Sequence, residues 1–376
     1  MDSRTRLLTA WNFEEPDRVP IELEISPTAK TFPEAKHILE FIENEADNFL
    51  WVPGADWQFC GIAGSYREET LGEDERYRRV RRAWETEAGE FFAITRHSVD
   101  ELNPSDFHWE KRYIDTVDEL ERFADAPRGE VPLDDDGFRR GAASVGKRGL
   151  PLVGMLHPLG WLVRNANMEE VYIWFKTEAK TLHRFLERST RQLVETVERM
   201  GSLGIGPYFQ VTAHEMLIPP WMGPTTFDEL VVPYDSEVND AVHRISGKMR
   251  AHCHGNVGAY LHKLRDMGID ATEPLESPPF GDVDLAEAKR EVGSEMLLSG
   301  NVPSNLYLQM TPDEVRACVK ETIAVGAPGG GYCLRNTGGH AATNSAKSRE
   351  QMIEIFRNIE AYIEAGLEYG TYPIRP

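Results

Sequence analysis

A regular alternation of short apolar runs with longer helical stretches is the feature of this sequence that most limits its fold. Apolar residues recur at helical spacing through residues 168–200, and the run at residues 208–211 has the composition of a buried strand. The alternation continues to the end of the chain, with helical stretches at residues 227–245, 257–267, 285–290, 312 onward and 348–365, and strand-like runs at residues 249–252, 269–272, 296–298 and 332–334. Strands separated by helices pair in parallel, because a parallel connection needs a crossover.

Two earlier strand-like runs, residues 19–24 and 152–155, bring the number of candidate strands to seven. We predict an α/β fold, a single (β/α)8 TIM barrel spanning residues 1–376, because that fold takes eight strands and roughly 200 to 400 residues. Residues 146–376 form the regular βα units, and residues 30–145 are interpreted as an irregular N-terminal elaboration that hides the missing strand. A doubly wound sheet is the alternative, but no GxGxxG motif follows an early strand.

Charge and cysteine content exclude several classes of protein. With 41 Lys and Arg against 62 Asp and Glu, the net charge of −21 disfavours binding to nucleic acid or to anionic lipid. No apolar run approaches the roughly 18 residues that cross a bilayer, and the first residues lack the order of a signal peptide. The four cysteines are far apart in the sequence and form no CxxC pair: Cys60, Cys253, Cys318 and Cys333. We therefore expect a cytoplasmic protein with reduced thiols.

Polar residues follow the predicted strands at their carboxyl ends, where the active site of a TIM barrel lies. Five of the 11 histidines occupy these positions. The candidate residues, in chain order, are His157, His214, Glu215, His252, His254, Glu273, Glu276, Asn301, Arg335, Asn336 and His340.

His252-Cys253-His254 is the most specific of these features. Side chains alternate along a strand, so both imidazoles point to one side and Cys253 points to the other. Two imidazoles on one face can bind the same transition-metal ion, and His340, Glu215 or Glu276 from a neighbouring strand end could complete the site. The alternative is two hydrogen-bonded polar residues beside a buried cysteine.

Other residues have two interpretations each. The guanidinium of Arg335 either binds a substrate carboxylate or forms a structural ion pair. His214-Glu215 is either an acid–base pair or a polar strand end. Cys333 is a core thiol or a soft metal ligand. Three tryptophans of the N-terminal region are packing residues or part of a pocket wall: Trp51, Trp57 and Trp109.

Several motifs resemble the uroporphyrinogen decarboxylase superfamily, and within it the cobamide-dependent methyltransferase branch. The similarity covers nearly the whole chain and implies a (β/α)8 barrel. The motifs are Arg4-Thr5-Arg6-Leu7-Leu8, Glu15-Pro16-Asp17-Arg18-Val19-Pro20, Phe227-Asp228-Glu229-Leu230-Val231-Val232-Pro233-Tyr234, Gly268-Ile269-Asp270, Asp284-Leu285-Ala286-Glu287-Ala288-Lys289 and Ser299-Gly300-Asn301-Val302.

Two departures from the family pattern refine this resemblance. Porphyrin decarboxylases carry an arginine-rich segment after the first strand, whereas this chain has Glu22-Leu23-Glu24-Ile25-Ser26-Pro27, so porphyrin decarboxylation is not expected. The methyltransferase branch binds zinc through a His-x-Cys-Gly strand end and a later Gly-Cys. The corresponding places here are His252-Cys253-His254-Gly255 and Gly339-His340, which implies that His252, His254 and His340 bind zinc.

The resemblance implies a zinc-dependent methyltransferase that moves a methyl group between a small substrate and a corrinoid supplied by a partner protein. An all-imidazole site leaves more positive charge on the metal than thiolates do, which favours an O- or N-methyl substrate. We assign catalysis to Glu215, Glu276 and His214, and substrate binding to Arg335, Asn336, Asn301 and His157.

The alternatives are a decarboxylase or lyase, metal-assisted or cofactor-free, acting on a small carboxylic acid, and a non-enzymatic binding protein. The residues leave open whether His340 or Cys333 is the third ligand, and whether the chain forms a homo-oligomer.

Overall fold

The computed structural model describes residues 1–99 and 107–374 as a mixed α/β fold. Its strands are β1 (Asn48–Val52), β2 (Gly64–Glu73), β3 (Tyr77–Thr86), β4 (Gly89–Ser98), β5 (Phe107–Lys111), β6 (Gly149–Leu156), β7 (Tyr208–Thr212), β8 (Lys248–Cys253), β9 (Ala271–Pro274), β10 (Leu297–Val302) and β11 (Tyr332–Asn336).

The helices surround these strands, and none in the described residues is long and apolar enough to cross a membrane. They are α1 (Ser3–Trp11), α2 (Lys36–Asn44), α3 (Val117–Asp125), α4 (Asp135–Val145), α5 (Pro158–Asn165), α6 (Met168–Thr177), α7 (Ala179–Leu203), α8 (Pro224–Leu230), α9 (Val232–Arg244), α10 (Leu261–Asp266), α11 (Leu285–Val292), α12 (Pro312–Gly326) and α13 (Arg349–Tyr369).

Seven strands form one parallel sheet in the order β1-β6-β7-β8-β9-β10-β11. From β6 onward each strand neighbours the next one along the chain, as the alternation of strands and helices predicts. The helical stretch predicted at residues 168–200 is two helices, α6 and α7, and the stretch predicted at residues 227–245 is α8 and α9. Pro233 lies in the first turn of α9, where a missing backbone N–H costs nothing, and so marks a new helix start.

Residues 30–145, expected to be irregular, contain two kinds of regular structure. They supply β1, the first strand of the parallel sheet. β1 is absent from the seven strands that the sequence pattern predicts. They also contain a separate antiparallel sheet in the order β2-β3-β4-β5. A stack of aromatic rings anchors this sheet, with the ring centroid of Phe59 5.4 Å from that of Trp84 and 5.5 Å from that of Phe123.

The segment of residues 19–25, called here the edge segment, was predicted as a strand at residues 19–24 but makes only one bridge, between Ile21 and Leu334 of β11. On its β11 side, Glu22 N–H donates to the Leu334 carbonyl at 2.9 Å and the Pro20 carbonyl accepts from Leu334 N–H at 2.8 Å. On its β1 side, side chains replace part of the backbone ladder: Asp47 accepts from Ile21 N–H, and the Asn48 amide bonds both backbone groups of Leu23. The edge segment is therefore bonded to both outer strands of the parallel sheet.

The side of the parallel sheet that carries Phe49, Leu150 and Arg250 is called here the inner face. Its amino end is apolar and is covered by α1, whose Trp11 ring lies 5.3 Å from the Phe49 ring. The buried members of this layer are Leu7, Ala10, Trp11, Phe49, Leu150, Leu152, Ala271, Leu297 and Cys333. Polar side chains replace apolar ones toward the carboxyl ends of the strands, called here the carboxyl edge, where the predicted site lies.

Candidate active site

Directly above the apolar layer, a chain of charged side chains crosses the inner face. The Glu22 carboxylate binds Arg250 Nη2 at 2.7 Å and Arg335 Nη1 at 2.6 Å. Arg335 Nε lies 3.0 Å from Glu273 Oε2, and Glu273 Oε1 accepts from His252 Nδ1 at 2.7 Å. Both glutamates are 1% exposed, so the two arginines compensate charges that water does not reach.

Interactions within this charged chain shift the pKa values of Glu273 and Arg335 toward their charged forms. Burial opposes ionisation of Glu273, but Arg335, His252 and Arg250 outweigh it and hold its pKa well below the ordinary value. Burial likewise opposes the charge on Arg335, and the carboxylates of Glu273, Glu22 and Glu24 overcome it and raise the pKa of Arg335. Arg335 therefore hydrogen-bonds Glu22 through Nη1 and forms an ion pair with Glu273 through Nε.

His252 and His254 lie on the same side of β8, as the alternation of side chains predicts. Their ring centroids are 4.6 Å apart at an interplanar angle of 79°. Each ring is held through Nδ1 by a glutamate, His252 by Glu273 at 2.7 Å and His254 by Glu276 at 3.1 Å. Within residues 1–99 and 107–374 neither Nε2 atom has a hydrogen-bond partner, and both side chains are partly exposed.

This arrangement is the one that metal-binding histidines adopt, because a carboxylate on one ring nitrogen fixes the tautomer and leaves the other nitrogen as a lone-pair donor. Burial lowers the pKa of His254, but Glu276, with Glu273 and Glu215, outweighs it and raises the pKa above the ordinary value. Cys253 points to the opposite side of β8 and is buried, and burial raises the pKa of its thiol well above the ordinary value.

Three neighbouring strands leave the carboxyl edge through residues with positive φ. Ala213 after β7 has φ 87°, Gly255 after β8 has φ 79°, and Leu275 after β9 has φ 61°. Ala213 and Leu275 immediately precede the segments that carry Glu215 and Glu276. A left-handed conformation is unfavourable for Ala and Leu, and such strain concentrates at functional sites.

Glu215 and Glu276 differ in their surroundings. Glu276 is 5% exposed, and besides His254 it binds the backbone N–H of Gly255 at 2.8 Å. Glu215 lies in the turn His214–Leu217, and its Oε2 atom is buried without a hydrogen-bond partner among the described residues. Its negative charge contributes to the raised pKa of His254, which places it near that ring.

His157 and His214 turn away from the predicted site. The two rings stack at 4.4 Å with an interplanar angle of 11°, and His214 Nε2 lies 2.8 Å from Asp235 of α9. All three side chains are at most 3% exposed, and His157 accepts the Gly160 N–H at the start of α5. A buried position of this kind does not favour the predicted roles of His157 in substrate binding and His214 in catalysis.

These three residues are also the one group of three His, Cys, Asp or Glu side chains in the described residues whose donor atoms lie within 4.8 Å of one another. Donor distance alone suggests a metal site. Imidazole lone pairs lie in the ring plane, however, and two parallel stacked rings cannot both direct a lone pair at one ion. We interpret the group as a buried cluster in which Asp235 holds the two imidazole rings. Burial opposes ionisation of Asp235, but the two histidines lower its pKa to about 2.

The remaining predicted residues lie at the ends of β10 and β11. Asn336 is 6% exposed, its Oδ1 accepts from the Tyr307 hydroxyl, and its Nδ2 has no partner among the described residues. Asn336 and His340 line a small cavity with Glu24 and Arg335. Asn301 instead lines a separate groove together with Ser277 and residues of α12.

His340 is exposed on the turn Gly339–Ser345. Its donor atoms do not form a group of three within 4.8 Å with those of His252 and His254. Cys333, the alternative third ligand, is fully buried in the apolar layer beneath the charged chain, a position that does not favour metal binding. Burial raises the pKa of the Cys333 thiol well above the ordinary value.

Sequence reasoning did not assign a role to Glu22, Arg250 or Glu273, which form most of the charged chain. One signal was available for Arg250: it lies two residues before His252 on the same strand and therefore shares its face. No local signal pairs Glu22 with Arg250, since 228 residues separate them in the sequence.

The protein is a mixed α/β protein whose parallel sheet carries histidines and carboxylates at its carboxyl edge. The chain belongs to the uroporphyrinogen decarboxylase (URO-D) family, whose model matches residues 158–358. Among solved structures, a methyltransferase from Methanosarcina mazei has the same fold: the TM-score is 0.58, with 18% sequence identity over 97% of this chain and 99% of that chain. Comparison with curated proteins gives no match.

Proposed function

We propose that this protein is a metal-dependent methyltransferase that moves a methyl group between a small O- or N-methyl substrate and a corrinoid protein. We also propose that the edge segment is the eighth strand of a (β/α)8 barrel, because it is hydrogen-bonded on one side to β11 and on the other to residues at the start of β1. The similarity in fold to a methyltransferase is consistent with this function.

One observation carries the proposal. The Nδ1 atoms of His252 and His254 are held by Glu273 and Glu276, which leaves two Nε2 atoms free at the carboxyl edge. Neutral imidazoles held in this way suit zinc. His340, or Glu215 with its unpartnered oxygen, would supply a further ligand.

When bound, zinc would act as a Lewis acid on the substrate atom that carries the methyl group. The methyl group would pass between that atom and the corrinoid of the partner protein. The protein's own residues have separate tasks. Glu273 and Glu276 orient the imidazoles, and the left-handed turn at Ala213 presents Glu215 as a ligand or a general acid. Asn336, which lines a small cavity with Arg335 and His340, would bind the substrate through its unpartnered amide N–H.

The geometry favours methyl transfer over decarboxylation of a small carboxylic acid. A substrate carboxylate needs a free guanidinium, and Arg335 already binds Glu22 and Glu273. Arg250 is 2% exposed and pairs with Glu22. Arg250 is therefore closed to a ligand, and both carboxylates beside Arg335 oppose the approach of a substrate carboxylate to it.

The first test is the zinc content of the purified full chain after reconstitution, measured beside the variant His252→Ala/His254→Ala. We expect about one equivalent of zinc in the parent and a loss of most of it in the variant. The matched control is His262→Ala, which removes a partly exposed imidazole near Glu291 on the helical surface and should leave the zinc content unchanged. Equal zinc content in the parent and in the double variant would exclude this metal site.

The second test is methyl transfer itself. The zinc-loaded chain is mixed with a reduced corrinoid protein and O- or N-methyl compounds, and methylation of the corrinoid is followed by its absorbance. We expect transfer to require both the metal and the corrinoid. Turnover of a carboxylic acid without a corrinoid would contradict the proposal and support the lyase alternative.

A further inference from the structure

A cavity of about 630 Å³ lies between α7 and the segment that connects α3 to α4, called here the arginine cavity. None of the residues assigned to the carboxyl edge lines it. Its walls carry two glutamates, Glu130 and Glu195, and four arginines: Arg128, Arg188, Arg191 and Arg199. The walls therefore have an excess of two positive charges, in a chain whose net charge is −21.

One wall of the arginine cavity is a single face of α7. Its residues follow one another at intervals of one, three or four positions and so lie on the same side of the helix: Arg188, Arg191, Gln192, Glu195 and Arg199. The Gln192 amide, which is 6% exposed, donates through Nε2 to the carbonyls of Gly61 at 3.0 Å and Gly129 at 2.8 Å. These bonds fix the opposite wall to the helix, so the cavity is preformed.

Arg128 carries a charge that no carboxylate among the described residues compensates. Its Nη atoms donate to neutral groups, the Cys60 carbonyl at 2.8 Å and the Ser189 hydroxyl at 3.2 Å, and its Nε is buried without a partner. Its guanidinium lies 5.3 Å from the ring centroid of Phe185. Burial, together with the charge of Arg188, lowers the pKa of Arg128 to about 10. A buried charge without a counter-ion is unfavourable, so an anion in the adjoining cavity would stabilise it.

Arg188 is bonded mainly to neutral oxygens as well. Its two Nη atoms donate to the carbonyls of Ala124 and Ala126, both at 2.8 Å. Carbonyl groups satisfy the donors without cancelling the charge. Asp125, which does not line the cavity, is bonded to Arg184 at 2.8 Å and lies 3.7 Å from Arg188.

Arg191 is the arginine of the cavity that is open to a ligand. It is exposed and has no hydrogen-bond or ion-pair partner among the described residues, although Glu195 follows it one helical turn later. Arg199, by contrast, is paired with Glu130. The charges that remain to bind a ligand are those of Arg128, Arg188 and Arg191, opposed by that of Glu195.

We propose that the arginine cavity is a binding site separate from the carboxyl edge, and that it takes a dianionic phosphate group, either free or carried by a small organic molecule. The excess of two positive charges matches the roughly two negative charges of a phosphate group at pH 7.5. Guanidinium groups bind phosphate oxygens through paired N–H donors. The volume lies within the range of small-molecule sites. The negative charge of the rest of the chain opposes long polyanions, which favours a ligand with a single phosphate group.

The test is a calorimetric titration of the full chain with inorganic phosphate at pH 7.5, with the ionic strength held constant by sodium chloride. We expect saturable binding of one phosphate per chain. Arg191→Gln should weaken this binding about tenfold, because it removes a charge-assisted hydrogen bond. The matched control is Arg290→Gln, which removes an exposed arginine on α11 and should leave the affinity unchanged. Absence of saturable binding, or equal losses in the two variants, would overturn the proposal.

Glucose 6-phosphate and glucose distinguish the two sources of the phosphate group. Tighter binding of glucose 6-phosphate than of inorganic phosphate would assign the cavity to a phosphate ester that fills its remaining volume. Equal or weaker binding of the ester would assign the cavity to the free ion. Binding of glucose as tight as that of glucose 6-phosphate would overturn the proposal, because the cavity would then not recognise the charge.

The titrations use neither metal nor corrinoid, so this inference and the proposed function fail separately. Arg191→Gln should keep the zinc content and the methyl-transfer rate of the parent. The variant His252→Ala/His254→Ala should lose zinc and bind phosphate with the affinity of the parent. Loss of phosphate binding in that double variant would contradict a separate site.

Discussion

At the scale of single residues, the turns after β7, β8 and β9 all depend on a left-handed backbone conformation. Only the turn after β8 uses glycine, Gly255, and it directly follows His254. The turns after β7 and β9 use Ala213 and Leu275, which adopt this conformation at a cost. The backbone is therefore strained at Ala213 and Leu275, on either side of β8, just before Glu215 and Glu276.

Gly255→Ala isolates the cost of this conformation. An added Cβ would meet no atom within 4 Å, so φ alone opposes the substitution. We expect the free energy of unfolding to fall by about 1 kcal/mol, measured by urea denaturation. The control is Gly223→Ala, where φ is −83° and the space is equally open, and its effect should stay within about 0.5 kcal/mol. Equal losses in the two variants would show that φ is not the cause.

At the scale of helices and strands, most element types followed from local signals. Thr311 caps α12 with Pro312 at its first position, a start that the pair Thr311-Pro312 indicates by itself, and Glu314 completes a capping box. The antiparallel sheet of β2 to β5 was not predicted, although β4 begins after a turn at Gly89 and is rich in aromatic and β-branched residues. Many arginines and glutamates hide the alternation in β2, which is exposed along its whole length, and in β3, which is only partly buried.

The contact between α9 and the start of β9 gives a pH-dependent prediction. His243 in the last turn of α9 lies 3.0 Å from Asp270, and this hydrogen bond raises the pKa of His243 above its ordinary 6.5. The protonated form is therefore stabilised in the folded state. Its contribution to stability is fully present below pH 6.5 and is lost as the pH rises through the raised pKa.

His243→Gln removes this dependence. The difference in unfolding free energy between the parent and the variant should be largest below pH 6.5 and should shrink as the pH rises, as measured by urea denaturation at a series of pH values. His262→Gln on α10 tests whether loss of any partly exposed imidazole gives the same profile. A difference that grows with pH would contradict the predicted sign.

At the scale of the whole molecule, Glu22 connects the edge segment to distant parts of the sheet. It binds Arg250 of β8 and Arg335 of β11, and the Tyr362 hydroxyl of α13 donates to its carbonyl at 2.9 Å. Removing its charge leaves the buried guanidinium of Arg250 and the partly exposed guanidinium of Arg335 undercompensated. We expect Glu22→Gln to lower the unfolding free energy by about 3–5 kcal/mol.

A surface pair provides the control for this prediction. Glu198 lies 3.0 Å from Arg244, and both side chains are about half exposed. Glu198→Gln should change the unfolding free energy by less than about 1 kcal/mol, because solvent already screens the pair. Similar losses for Glu22→Gln and Glu198→Gln in urea denaturation would show that the buried charged chain does not hold the edge segment in place.

Local signals in the sequence were enough to predict the parallel order of the strands from β6 to β11, the cap of α12, and the shared orientation of His252 and His254. Each of these depends on a local period or on a capping residue, which a few neighbouring positions specify. The tertiary structure alone decided which carboxylates hold those histidines, that Arg335 is paired internally, and that His157 and His214 are buried against Asp235. Those pairings join residues far apart in the chain, and the direction of a side chain after a strand depends on turns such as the one at Ala213. No local pattern encodes such contacts, because they exist only when the strands lie side by side.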